Sequence, residues 1–425
     1  MKKTVSTTVR AWLDGSAQDA AATTFRAAAT PVSLPYSLVV RLRGRLYEAG
    51  LLRSFKAPRP TISVGNLTLG GVGKTPFVAW LAEYFLQTAR TPGLISRGYQ
   101  AERQRKLFAR LDAESNSAPS SPFVAFPDSV DSSRFAQFLQ FNDEARELAL
   151  RLPSTPHFLG SNRVDVASAL VEARPDVDVL LLDDAFQHRR IQRDLNVVLL
   201  DALNPFGGGR VFPAGFLREP LSGLARADAV LLNRADLVSP ERRQAIQERV
   251  RRLAPSALFA EIAQIPRFIY SRVSPSNSAT LKNVKIDKHN ASGNRENAVG
   301  SLVREDFADW AASRRGGRFV AFCGLGAPSG FRKTLERDAL TPRSFVAFPD
   351  HRAYSASDFS TLEAEAERVD ADAFLTTTKD FVKWNAPTFA GRPVFALGIG
   401  VEFLSGETAF RALLAERFPN GQLRN

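Results

Sequence analysis

The sequence predicts an α/β fold, with an α/β/α core and a second, smaller α/β domain joined to it by a linker. Three observations carry this prediction. Short apolar runs alternate with segments of helical character. Several of these runs are apolar throughout and two end in Asp, which suits parallel strands covered on both faces. After the first run comes a glycine-rich turn, Gly65-Asn66-Leu67-Thr68-Leu69-Gly70-Gly71-Val72-Gly73-Lys74-Thr75-Pro76, and then a helical segment. That order of strand, glycine-rich loop and helix makes the core a P-loop α/β/α core.

The elements follow in chain order. Residues 1–30 are Ala/Thr-rich and are expected to be a poorly ordered extension. Residues 31–60 form a basic segment, within which 36–56 reads as a helix. Leu38, Leu42 and Leu46 recur at helical spacing there, surrounded by Arg41, Arg43, Arg45, Arg53 and Lys56. Such a helix either packs on its own domain or lies on an anionic lipid surface with its arginine stems snorkelling. The second reading is favoured. Residues 61–265 are the P-loop core, with strands at 61–64, 93–96, 178–182, 196–200 and 229–232 and a helix over 75–87. Residues 112–133, rich in Ser, Pro and Asp, read as a loop. Residues 266–316 are a linker, and 272–300 is a polar insertion without apolar periodicity. Residues 317–425 are the smaller C-terminal α/β domain, with strands at 318–322, 344–348 and 373–376.

Composition narrows the function. The chain has 425 residues with a single cysteine, so disulfides do not build the fold. Four histidines and no CxxC or HExxH spacing argue against a multi-histidine metal site. No apolar run is long enough for a transmembrane helix, and a secretory signal is not expected. The net charge is +12, which asks for nucleic acid, a lipid headgroup surface or a phosphorylated substrate. The first 60 residues hold ten Lys/Arg against three Asp/Glu, a net of +7, and the remaining 365 hold 46 against 41. No stacking or groove-reading motif accompanies the charge, so nucleic acid is not the expected partner.

Five motifs carry chemistry. In the glycine-rich turn, residues without Cβ let backbone N–H groups converge on phosphate oxygens at a helix N-terminus. Lys74 reaches the β/γ-phosphates and Thr75 binds Mg²⁺ in such loops. Thr68 stands where the strict pattern has glycine. Second, the apolar run from Val179 ends in Asp183-Asp184, the layout of a Walker B carboxylate, although paired Asp also cap helices. Third, Arg218 follows Phe206-Gly207-Gly208-Gly209-Arg210 in the run to Glu219-Pro220. It reads on spacing alone as a surface arginine, with phosphate clamping as the alternative. Fourth, Asn233-Arg234-Ala235-Asp236 has one mismatch to a guanine-reading motif, and a strand-to-helix cap is the favoured reading. Fifth, Asp350 beside His351 is arranged to orient an imidazole for proton transfer, although a lone histidine in a turn is more often structural.

Together the runs ISVGNLTLGGVGKTP, SRGY, LLLDDAFQHRRIQRDLNVVLLDA, RVFPAGFLREPLS, FCGLGAP, FPDHRAY and TTKDFVK resemble the tetraacyldisaccharide 4′-kinase family, the lipid A 4′-kinases of Gram-negative bacteria. The resemblance extends from about residue 31 to 397. It implies ATP-dependent, Mg²⁺-assisted transfer to the 4′-hydroxyl of a tetraacylated glucosamine disaccharide 1-phosphate. It also implies a peripheral or monotopic protein at the cytoplasmic face of the inner membrane. Gly70, Gly71, Val72, Gly73, Lys74 and Thr75 would cradle the nucleotide phosphates. Thr75, Asp183 and Glu144 would hold the metal. Asp184 would serve the active site, and Arg218 would contact phosphate. Asp143, in the run Asn142-Asp143-Glu144-Ala145 that stands for the family's GDEP, would be the general base toward the sugar hydroxyl. His351 of the second domain would tune it. The departures are Asn142 and Ala145 for Gly and Pro, Ala185 after the Asp pair, and Thr378 in place of the Glu of TEKD. A conformational P-loop NTPase of the septum-site or arsenical-pump kind is disfavoured by Leu69, where those loops carry a lysine. A catalytically dead lipid-binding scaffold is disfavoured by intact Lys74, Thr75, Asp183 and Asp184.

Overall fold

A computed structural model describes the chain except residues 1–10, 14, 16, 18, 98–123, 126–142, 274–300, 315, 326–327, 351, 384–387 and 420–425. The expected insertion and most of the expected 112–133 loop therefore lie outside the described residues. The first long element is α1 (Ala20–Glu48). It starts earlier than the apolar periodicity suggested, because Asp19 caps it through Ala22 N at 2.7 Å and alanine is the best helix former. Residues 20–30, expected to be poorly ordered, are thus helical. It also ends before residue 56: Ala49 closes it and Gly50 takes φ +71°. One edge of α1 is tied to the body. Tyr36 Oη donates to Arg218 O at 3.1 Å, and Arg189 donates to Gly44 O at 3.0 Å and pairs with Glu48 at 3.1 Å. Its buried residues are Ala22 and Ser33, whereas Val32, Leu34, Leu38, Val39 and Leu42 are each more than half exposed. Among the described residues no helix is long and apolar enough to cross a membrane.

The core lobe follows the strand prediction. It contains β1 (Thr61–Asn66), α2 (Lys74–Gln87), β2 (Pro92–Ser96), the two-residue β3 (Val124–Ala125), α3 (Asp143–Arg151), β4 (His157–Leu159) and α4 (Arg163–Ala173). Then come β5 (Val179–Asp183), β6 (Leu195–Asp201), β7 (Ala229–Asn233) and α5 (Pro240–Leu253). β1, β2, β5 and β7 are buried at every position, the mark of strands covered on both faces. β1 pairs in parallel with β5 and β6, so Val64 lies beside Asp183.

The rest of the chain departs from a simple two-domain division. β8 (Leu258–Val273) runs out of the core lobe, where β9 (Ser301–Asp306) pairs with it, and α6 (Phe307–Ser313) follows. The second lobe holds β10 (Phe319–Cys323), α7 (Pro328–Arg337), β11 (Ser344–Ala347), α8 (Ala356–Arg368), β12 (Ala373–Thr377), the short α9 (Thr378–Phe381) and β13 (Thr388–Phe389). β14 (Arg392–Ser405) returns antiparallel along β8, and α10 (Glu407–Arg417) ends the described chain. One continuous sheet results, ordered β11-β10-β12-β14-β8-β7-β6-β1-β5-β2-β4-β3. Residues 317–425 were expected to form one C-terminal domain, but α10 packs instead in the core lobe. Phe410, Leu414 and Phe418 join Phe77, Leu81 and Phe85 of α2, since an amphipathic helix must bury its apolar stripe and the core lobe offers the matching face.

Candidate active site

β1 delivers the chain into the glycine-rich loop under close packing. A Cβ on Gly65 would stand 2.6 Å from that of Phe186. Asn66, fully buried, donates to Thr68 O at 2.6 Å and accepts from Lys74 Nζ at 3.1 Å. Gly70 and Gly73 take φ of +104° and +77°, a region that side chains with Cβ avoid. Gly73 caps α2 without a side-chain hydrogen bond, so the first-turn N–H groups of α2 open onto the loop as an anion site. Thr75 sits buried in that first turn.

A second segment is stitched to the loop. Leu69 N donates to Phe216 O at 2.7 Å and Arg218 N to Leu67 O at 2.8 Å. This short antiparallel pairing carries Arg218 to the loop mouth. There its guanidinium donates to both oxygens of Asp184, at 2.8 and 2.9 Å, while Lys74 Nζ lies 3.2 Å from Asp184 Oδ1. Asp184 turns toward them because its own φ is +50°, a conformation Asp tolerates better than most residues. Burial raises the pKa of Asp184, but Lys74 and Arg218 outweigh burial and hold it at about 2. Two cations around one carboxylate leave a net positive charge where a polyphosphate would arrive.

Asp183 has the opposite environment. It is buried, and burial together with the Glu144 carboxylate pushes it up to about 7. Its Oδ1 is buried without a protein partner. The orphaned Asp183 oxygen, the Thr75 hydroxyl in the loop helix and the Glu144 carboxylate are oxygen donors of the kind Mg²⁺ takes, with phosphates and water to complete its shell. Among the described residues no three His, Cys, Asp or Glu side chains gather as a self-sufficient metal cage.

Asp143 and Glu144 open α3, and they part ways. Glu144 is exposed and faces Asp183 electrostatically. Asp143 is buried and accepts from Arg146 Nη2 at 2.7 Å, with Lys383 Nζ at 3.5 Å on its other oxygen. Lys383 also pairs with Asp380 at 2.8 Å, so the Asp143 carboxylate bridges the core lobe and the second lobe. His351 lies outside the described residues. Its neighbour Asp350 accepts from Lys379 Nζ at 3.0 Å.

Sequence reasoning missed the supports. Gln187 Nε2 ties Asn66 O at 2.8 Å to Glu219 at 3.0 Å, and Glu219 is held by Arg226 at 2.9 Å. Arg163, buried at the start of α4, reaches the carbonyl of Asp183 at 3.5 Å. Asn233 and Arg234 contact the loop itself, and the Asn233 amide is spent on Val72 O and Arg234 N. Arg234 caps the turn Ala235–Leu237 with φ +57°, in line with the cap reading.

A phosphate cradle between a parallel strand and its helix, with Asp at the end of the neighbouring strand, defines a P-loop nucleotide-dependent enzyme. A family model described as tetraacyldisaccharide-1-P 4′-kinase matches residues 25–419. The chain belongs to the tetraacyldisaccharide-1-P 4′-kinase family. It is 34% identical over 382 residues to a tetraacyldisaccharide 4′-kinase of Anaeromyxobacter sp. (strain K), covering 89% of this chain and 87% of the relative. It is 32% identical over 355 residues to that of Halothermothrix orenii, covering 82% and 80%. The crystal structure of LpxK from Aquifex aeolicus in complex with ATP aligns with a TM-score of 0.62 at 26% identity, covering 93% of this chain and 99% of that one.

Proposed function

We infer that the protein transfers the γ-phosphoryl group of ATP to the 4′-hydroxyl of a tetraacylated glucosamine disaccharide 1-phosphate, in lipid A biosynthesis. The observation that carries this, within the family, is the convergence of Lys74 and Arg218 on Asp184 beside the open N-terminus of α2. Phosphoryl transfer needs positioning and charge neutralisation more than covalent help. Lys74 and the loop N–H groups bind the β/γ-phosphates. Arg218, released from Asp184, follows the charge that develops on the transferring group. Thr75, Asp183 and Glu144 would hold Mg²⁺, which would supply electrostatic stabilisation of the phosphate oxygens. Asp143 accepts the hydroxyl proton as transfer proceeds, because a free secondary alcohol is far too weak an acid to ionise first. Arg146 and Lys383 hold its carboxylate in place. In the same proposal His351 tunes Asp143, as the family resemblance implies.

The exposed apolar side of α1, with the basic residues of 36–56, supports attachment to an anionic membrane surface at the cytoplasmic face of the inner membrane. That surface is where a four-chain lipid acceptor resides. The test is incubation of the purified protein with ATP, Mg²⁺ and tetraacyldisaccharide 1-phosphate. A product one phosphate heavier is expected, absent with Lys74→Ala. ATP hydrolysis without that product would sink the reading.

A further inference from the structure

Three successive carbonyls of the glycine-rich loop are each claimed by a side chain from outside it. Gly71 O accepts from Arg234 Nη2 at 3.1 Å, Val72 O from Asn233 Nδ2 at 2.7 Å, and Gly73 O from Gln264 Nε2 at 3.3 Å. In a trans peptide the C=O of one residue and the N–H of the next point in opposite directions. Holding these three carbonyls on the β7/β8 side therefore turns the N–H groups of Val72, Gly73 and Lys74 to the other side. A loop free to rotate those peptides would present carbonyl oxygens, which repel phosphate. The three donors are themselves fixed. Asn233 is fully buried at the end of β7 and accepts from Arg234 N at 2.9 Å. Arg234 is clamped by Asp201, at the end of β6, at 2.9 Å. Gln264 lies on β8 and is packed so close that a Cβ on Gly73 would sit 1.8 Å from its amide nitrogen.

We propose that Asn233, Arg234 and Gln264 are positioning residues for nucleotide binding, which preset the peptide planes of the phosphate loop before ATP arrives. The proposal rests on the reading that this loop binds the ATP phosphates. It makes Asp201 a remote member of the same device, because Asp201 aims Arg234. Gln264 adds a link between the loop and β8, the strand that continues to the second lobe.

The test uses the full-length protein and steady-state kinetics with ATP and lipid varied separately. Asn233 is too buried to replace safely, so the informative variants are Arg234→Met and Gln264→Leu. Removing a hydrogen bond from a charged donor predicts an ATP KM raised by about tenfold to a hundredfold for Arg234→Met. A neutral donor predicts a rise of about twofold to tenfold for Gln264→Leu. The lipid KM and the thermal midpoint should stay as in the wild type, and Arg234→Lys should recover part of the loss. Asp201→Asn should move the ATP KM in the same direction as Arg234→Met. An unchanged ATP KM in both Arg234→Met and Gln264→Leu overturns the proposal. So does a fall in kcat alone that tracks a lower thermal midpoint. A Lys74→Ala protein that keeps the wild-type ATP affinity would mark a different failure, that of the loop assignment itself.

Discussion

Gly73 is the residue on which the site is most sharply constrained. Its φ is +77°, and a Cβ there would also stand 2.5 Å from the Asn233 amide. Gly73→Ala should therefore abolish measurable ATP binding by calorimetry while far-ultraviolet dichroism stays native, since the clash is local. His157 shows a constraint of another kind. It is buried on β4 with Nε2 2.9 Å from Ser96 Oγ, and burial together with Arg163 lowers its pKa to about 3. The unfolded chain binds a proton there near pH 6.5, so it holds more protons than the folded chain between about pH 3 and 6.5. The stability that neutral His157 permits is complete above that window and is lost as pH falls through it, by up to about 1.4 kcal/mol per pH unit. Urea denaturation of wild type and His157→Gln across pH 4–8 should show the shallower pH dependence in the variant. Lys74, Thr75, Asp183 and Asp184 were legible in the sequence because a strand, a loop and a strand end are local patterns. Asn233, Arg234 and Gln264 were not, because their partners lie more than 150 residues away and meet them only through sheet order. For Asn233-Arg234-Ala235-Asp236 the favoured reading, a strand-to-helix cap, did not reveal that the Asn233 amide also holds Val72 O.

At the scale of elements, the all-apolar core strands were readable within a residue or two. β8, β9 and β14 were not, because each mixes polar and apolar residues and Pro266 interrupts β8. α1 was underestimated at its start for a similar reason. Pro31 and Pro35 each remove a helical donor and read as breaks, yet the helix continues through both. Its exposed stripe gives a direct prediction. Leu38→Glu with Leu42→Glu should weaken sedimentation with anionic vesicles at least about tenfold, from lost apolar burial, and leave the thermal midpoint unchanged. Equal binding of both proteins would refute attachment through this helix. The contact between α3 and α9 is the opposite case, a buried ionic seam. Arg146 also donates to Val382 O at 3.0 Å, and Thr378 donates to Glu147 at 2.7 Å. Lys383→Met would leave Asp380, fully buried, without the ammonium it pairs with. Breaking such a pair costs about 3 kcal/mol. A lower denaturant midpoint with an unchanged m-value is the expected signature.

At the scale of the molecule, the charge that first marked the sequence now divides by place. In the first 60 residues, α1 and the segment after it carry seven Lys/Arg against Glu48, none of them buried, while Lys2, Lys3 and Arg10 lie outside the described residues. The charges that face the phosphate loop are few and individually placed, namely Lys74, Arg218 and Arg234. The return of α10 to the core lobe bears on how the protein is made. Phe77 and Phe85 of the loop helix wait for Phe410, Leu414 and Phe418, more than 300 residues later. A ribosome must therefore translate past Phe418 before the ATP cradle gains its backing, and the nascent protein carries an uncovered aromatic surface until then. Deletion of residues 406–425 should give a product that partitions into inclusion bodies and is retained by holdase chaperones. A soluble, ATP-binding truncation would show that the cradle matures without its last helix.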